Sequence, residues 1–271
     1  MIKEIIDKLV ALLAVSALLA SCSESELWQN PQTEARDGYI MLNFKTEIPA
    51  MQEVVTRAVD PDGGGVQDMT LFCFDSYGLF ISTVKAGVTV QKPGPGEMEG
   101  TFKAEVPENT RTIHFLANQN MDEFKEDSFR NKSESEVMAV LEGSSGRMIY
   151  WGRFACDAGN DSNIAEQMAT SGNSVKLIRN HARISVDNPD NNGHIVITGF
   201  AVCNTNAFGT VAPHHPKKGF DFTWPSSDDP FVTLPVNDAK MSDITDVTSS
   251  MNQYVFECEN SADAPVSVIL R

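Results

Sequence analysis

This chain is short of positive charge relative to negative. It sets 21 lysines and arginines against 37 aspartates and glutamates, a formal net charge of −16 over 271 residues. A polyphosphate backbone is bound through a basic footprint, so nucleic acid is not an expected partner. Cysteine is sparse and scattered. Cys22, Cys73, Cys156, Cys203 and Cys258 form no CxxC pair, which argues against a zinc site or a disulfide-dense mini-fold. HExxH, GxSxG and the glycine–lysine–serine/threonine of a phosphate loop are all missing. After Ser21 no uncharged apolar run reaches the ~18 residues that a membrane helix needs. What is present suffices for folding: hydrophobic residues make up 41% of the chain, enough to build a core in one large or two ordinary domains.

The amino terminus reads as an export signal. Residues 9–20, LVALLAVSALLA, follow a short head that holds Lys3 and Lys8 but also Glu4 and Asp7. The run is too short to span a bilayer and suits a signal-peptide core. Leu19-Ala20-Ser21-Cys22 then resembles the lipobox of bacterial lipoproteins, in which cleavage before the cysteine exposes it to acylation. Buried acyl carbons contribute about 0.8 kcal/mol per CH₂, so two or three chains would anchor the protein. Ser23-Glu24-Ser25-Glu26 follows; it resembles the surface-export signal of Bacteroidales lipoproteins, with a solvated tether as the alternative.

Further along, period-two patterns dominate. In residues 39–48, Ile40, Leu42, Phe44 and Ile48 face one way with Thr46, while Tyr39, Met41, Asn43, Lys45 and Glu47 face the other. That is a half-buried strand. Arg57 lies in the stretch ahead of Pro61-Asp62-Gly63-Gly64-Gly65, whose glycine density marks an exposed loop. Residues 69–74 and 79–84 form a hairpin about the turn Asp75-Ser76-Tyr77-Gly78. Further strands are expected at 101–106, 112–117, 148–151, 175–186, 195–202, 253–256 and 266–270. The one expected helix starts at the capping box Ser133…Glu136, covers 137–141 and stops at Gly143. Strands at this spacing argue an antiparallel β-sandwich architecture, with a domain boundary in the polar stretch 157–173. The last residues, 266–271, stop inside a strand pattern, from which the chain is expected to continue beyond Arg271.

Catalytic chemistry finds little support. His114 and His194 fall in strands, where packing or surface placement is the default; the vicinal His214-His215 cannot form the i, i+4 face of a zinc helix. The glycine-rich 94–100 segment has the wrong spacing for a dinucleotide loop. The acidic turns at 60–63 and 187–193 lack the distal glutamate of a calcium loop. Cys73 and Cys203 read as small hydrophobes, and a Cys203–Cys258 disulfide stays open. No catalytic residue, metal site or cofactor is expected, and the chain is not expected to be an enzyme.

Several of these features, in this order, resemble the fimbrillin superfamily of Bacteroidales, the surface lipoproteins of type V pili. They are the lipobox at Cys22, the alternating strand at 39–48, Thr56-Arg57-Ala58 before a loop, and the strand–turn–strand at 71–80. Met148-Ile149-Tyr150-Trp151-Gly152, the run 175–186, Phe200-Ala201-Val202-Cys203-Asn204 with Gly209 and Ala212-Pro213, and Tyr254-Val255-Phe256-Glu257 complete the set. The resemblance implies a mostly-β chain of two tandem transthyretin-like antiparallel β-sandwich domains with one short helix. The divisions are then a signal peptide at 1–21, a lipidated tether at 22–37, and sandwich domains at 38–172 and 173–271.

It implies a stalk or tip subunit of a cell-surface pilus, carried to the outer membrane on its lipid. An arginine-specific protease would cut between Arg57 and Ala58, and the strand bearing Ile40, Leu42, Phe44 and Ile48 would be exchanged for a strand of another subunit. Its partners would be those subunits, the protease, the membrane and a host protein or glycan receptor. The alternatives are an uncut pilus anchor and a glycan-binding surface lipoprotein, with Trp151, Trp224 and Phe222 as candidate platforms and Trp28 set aside in the tether.

Overall fold

The computed structural model describes residues 35–48, 66–93, 98–144, 148–186, 196–214, 232, 234, 240–241, 245–246, 252–260 and 262–271. The strands of the first half are β1 (Tyr39–Glu47), β2 (Met69–Phe74), β3 (Phe80–Lys85), β4 (Gly87–Pro93), β5 (Met98–Pro107) and β6 (Thr112–Ala117). After them come α1 (Glu134–Met138), β7 (Glu142–Ser144), β8 (Tyr150–Ala155), α2 (Ile164–Thr170), β9 (Ser174–Lys176) and β10 (Ile178–Arg179). The remainder supplies β11 (His181–Ser185), β12 (Gly199–Thr205), β13 (Phe208–Thr210), β14 (Lys240–Met241), β15 (Thr245–Asp246), β16 (Asn252–Phe256) and β17 (Ser267–Leu270).

Two sheets, ordered β4-β5-β1-β9 and β10-β8-β6-β2-β3, pack into a sandwich. The core between them takes Leu42, Phe44, Phe102 and Val175 from the first sheet. Leu71, Cys73, Ile113, Phe115 and Tyr150 come from the second, and Ile164 and Met168 from α2. β2 and β6 are buried at every position, as strands must be when both faces of their sheet are covered. A second apolar layer, on the outer face of the five-stranded sheet, explains this. There Phe72, Phe74, Phe80, Leu116 and Trp151 meet Val137 and Met138 of α1 and Val211, Ala212 and Val232 from the later half. A third, smaller cluster gathers around Phe200, Val202 and Val186.

The fold is mostly β, as expected, with differences in detail. The hairpin turn forms as read: Asp75 accepts from the backbone N–H of Tyr77, Gly78 and Leu79, and Gly78 takes φ +72°. β1 pairs antiparallel with β5 but parallel with β9, so the sheet is mixed. The capping box of α1 is present, yet the helix ends at Met138 and Gly143 lies in β7, opposite Gly209 of β13. A second helix, α2, stands where the sequence pointed to a loop. Asn163 and Glu166 form its capping box, and Ile164, Ala165 and Met168 turn into the core. The expected single strand at 175–186 is three strands, and its first two, β9 and β10, pair with β1 and β8. The chain therefore leaves these two sheets at β11, past the division read at 172/173. Cys73, Cys156, Cys203 and Cys258 are all free thiols.

Candidate functional site

β1 is the element on which the sequence reading turns. It registers against β5 from Tyr39↔Pro107 to Thr46↔Gly100, while its ladder with β9 runs only from Lys45 to Glu47. Ile40, Leu42, Phe44, Thr46 and Ile48 are buried, Leu42 and Phe44 almost completely. Phe44 stacks on Phe102, with centroids 5.5 Å apart, and meets the edge of Phe115 at 5.0 Å. Burying an aliphatic or aromatic side chain of this size contributes roughly 1.5–3 kcal/mol. Without β1, the inward side chains of β5 (Phe102, Ala104 and Val106) would line an open apolar furrow beside an unpaired backbone edge. The opposite face departs from strict alternation, for Met41 is buried as well.

A tight turn leads into β1. The carbonyl of Arg36 accepts from the N–H of Tyr39 at 3.0 Å, with Gly38 at φ +78° in the third position. That is the left-handed position of a type II turn, which suits glycine. The Gly38 carbonyl accepts from the N–H of Glu108 at 3.0 Å. The Arg36 Nε donates to Glu105 Oε2 at 2.6 Å, and the guanidinium carbon stands 4.2 Å from the Tyr39 ring centroid.

Cys22, Arg57 and Ala58 lie outside the described residues, as do Trp28, His194, His215, Phe222 and Trp224. Trp151 is fully buried, so it is corrected from a candidate glycan platform to a core residue. Its indole is engaged in a polar cluster that sequence reasoning missed. Trp151 Nε1 donates to His114 Nδ1 at 3.0 Å. Because an indole only donates, the His114 proton sits on Nε2 and is given to Glu134 Oε2 at 2.7 Å. Arg153 closes the cluster by donating from Nε to Glu134 Oε2 at 2.7 Å and from Nη2 to Oε1 at 3.0 Å.

The electrostatics follow from enclosure. Burial pushes His114 below its ordinary value despite the pull of Glu134, so the ring is neutral. Burial by itself would raise Glu134, but the hydrogen bonds from His114 and Arg153 outweigh it and draw the carboxyl down to about 2. Cys73 faces the inner core while His114 faces the outer layer, and burial raises its thiol to about 12. The two cannot act as a thiolate–imidazole pair. The cluster ties α1 to β6 and β8, and its chemistry is that of a fastening.

The remaining described histidines are spoken for. His214 Nδ1 lies 2.6 Å from the Val232 carbonyl, and His181 lies 2.7 Å from Asn180 and packs on Phe256. Among the described residues no group of three or more His, Cys, Asp or Glu side chains gathers as a metal site would require. Nor is any helix among them long and apolar enough to cross a membrane.

No protein-family model matches the chain, and no curated protein matches it. Among solved structures, it is similar to the C-terminally truncated tip fimbrial protein Mfa3 from Porphyromonas gingivalis. The identity is 15% and the TM-score 0.46, over 82% of this chain and 71% of that one. Two structures described as a "putative cell adhesion protein" also match. The one from Bacteroides eggerthii has 11% identity and a TM-score of 0.41, over 84% of this chain and 74% of its own. The one from Parabacteroides distasonis has 15% identity and a TM-score of 0.44, over 85% and 75%.

Proposed function

We propose that this chain is a structural subunit, stalk or tip, of a cell-surface pilus. It is exported as a lipoprotein acylated at Cys22 and assembled by strand exchange after proteolysis between Arg57 and Ala58. One observation carries the reading: β1, the first strand after the tether, fills a slot in the sandwich and supplies Leu42 and Phe44 to its core. A strand so placed keeps the precursor soluble, because a missing strand would expose a template for aggregation. While β1 is joined to the body, its effective concentration at the furrow is on the order of millimolar or higher. Cleavage at Arg57 turns it into a dissociable peptide, and the extended strand of another subunit takes its place by β-augmentation.

Mass spectrometry of the protein taken from the cell surface tests this. The expected mature subunit begins at Ala58 and runs in high-molecular-weight ladders. An acylated Cys22 retained on every surface copy, with no ladder, would overturn it in favour of an uncut anchor.

A further inference from the structure

In this reading, the position of the cut decides the fate of the subunit. Arg36 is the arginine between Cys22 and β1. Hydrolysis there would consume one water, leave a carboxylate on Arg36 and an α-amine on Asp37, and shed the lipid. It would also leave β1 joined to the body, giving a released subunit with its furrow still plugged. Hydrolysis at Arg57 frees β1 instead. A chain built for strand exchange therefore has to keep an arginine-specific protease away from Arg36.

We propose that the 36–39 turn, clamped by Glu105 and Tyr39, is a guard that withholds Arg36 from arginine-specific proteolysis and directs the cut downstream of β1. The inference rests on the processing reading above. Its warrant is what a protease of this class needs: an extended segment, an arginine side chain free to enter a deep pocket, and a scissile carbonyl free to enter an oxyanion hole. The turn denies all three. The Arg36 carbonyl is taken by the Tyr39 N–H, the guanidinium is held between the Glu105 carboxylate and the Tyr39 ring, and the Gly38 carbonyl is pinned to Glu108. Other described arginines are engaged in the same sense: Arg111 with the Ser162 carbonyl, Arg130 with Asp127 and Arg153 with Glu134. Arg36 has a side chain 67% exposed, more so than Arg130 at 56%, and it would be open to attack but for the clamp.

Limited digestion of the full chain with an arginine-specific protease, with fragment termini read by mass spectrometry over time, is the test. Wild type should yield the fragment beginning at Asp37 only late. The variant Gly38→Val with Glu105→Gln should yield it at least about fivefold faster, since cleavage tracks the population of the opened segment. Its melting temperature is measured in parallel, so that general unfolding is recognised by faster cutting at Arg111 and Arg153 as well. The guard is overturned if wild type is cut first at Arg36, or if the variant is cut there no faster. It is equally overturned if Asp37→Ala alone opens Arg36 as much, which would make the acidic neighbour the protection. A missing Ala58 fragment in every sample sinks the processing site instead and leaves the Arg36 comparison readable.

Discussion

At the scale of single residues, the cluster of His114, Glu134, Arg153 and Trp151 makes stability depend on pH in one direction. In the unfolded chain His114 takes a proton near pH 6.5, whereas the buried ring resists it. Stability is therefore full above ~6.5 and falls as pH drops toward the lower folded value. His181, lowered to about 4 by burial, adds to the same fall. Glu134 acts lower down, where its contribution is complete above its ordinary 4.5 and is lost as pH falls through about 2. Each group adds up to about 1.4 kcal/mol per pH unit within its window. Thermal unfolding between pH 7 and pH 5 should show a declining melting temperature, and His114→Gln should make that decline shallower, whatever it does to the absolute value. An unchanged slope would remove His114 from the linkage. None of this was legible in the sequence. Glu134 and His114 lie twenty residues apart on different elements, and only the packing of α1 on the sheet brings them together.

Elements were more readable, for a physical reason. β1 shows as an alternating strand with a buried face, β2 and β6 as short apolar-rich runs buried on both faces, and all three emerge at nearly their observed limits. The reading failed where pattern and pairing diverge. The 175–186 run looks continuous because no glycine or proline interrupts it, yet Val175 pairs with β1, Ile178 with β8 and Ala182 with β16. Period alone cannot say which sheet a residue joins. α2 was missed although its capping box, Asn163 with Glu166, lies in the sequence: its seven residues make only about two turns, too few to establish a stripe, and the stretch around them is polar. Within β1, Thr46 is a flaw that invites measurement. It is fully buried, and its hydroxyl has no hydrogen-bond partner. An unmade hydrogen bond of this kind costs about 1–3 kcal/mol. Thr46→Val should therefore raise the melting temperature of the precursor by about 2 °C or more. A fall would mean that the hydroxyl is satisfied in solution.

For the molecule as a whole, the spacing of strands and turns indicated a mostly-β protein, but how the earlier and later parts of the chain are joined was hidden. β7 pairs with β13, and Val211, Ala212 and Val232 complete the outer layer of the sandwich. The joint depends on absent side chains: Gly143 and Gly209 face each other in the ladder, and a Cβ on Gly209 would collide with the Phe256 ring. Gly209→Val should displace Phe256 and loosen the joint. Calorimetry should then resolve two transitions for the variant and one for the wild type. A single transition of unchanged width would mean that the two parts hold together by other contacts.

The ladder of β1 has a mechanical consequence. A pull along the axis of the strand loads every register pair from Tyr39 to Thr46 together, so all must fail at once. On the proposed exchange, an invading strand would start at one end and take over those pairs singly, each step nearly balanced by the last. The same bonds would then resist extraction by force yet yield to stepwise replacement.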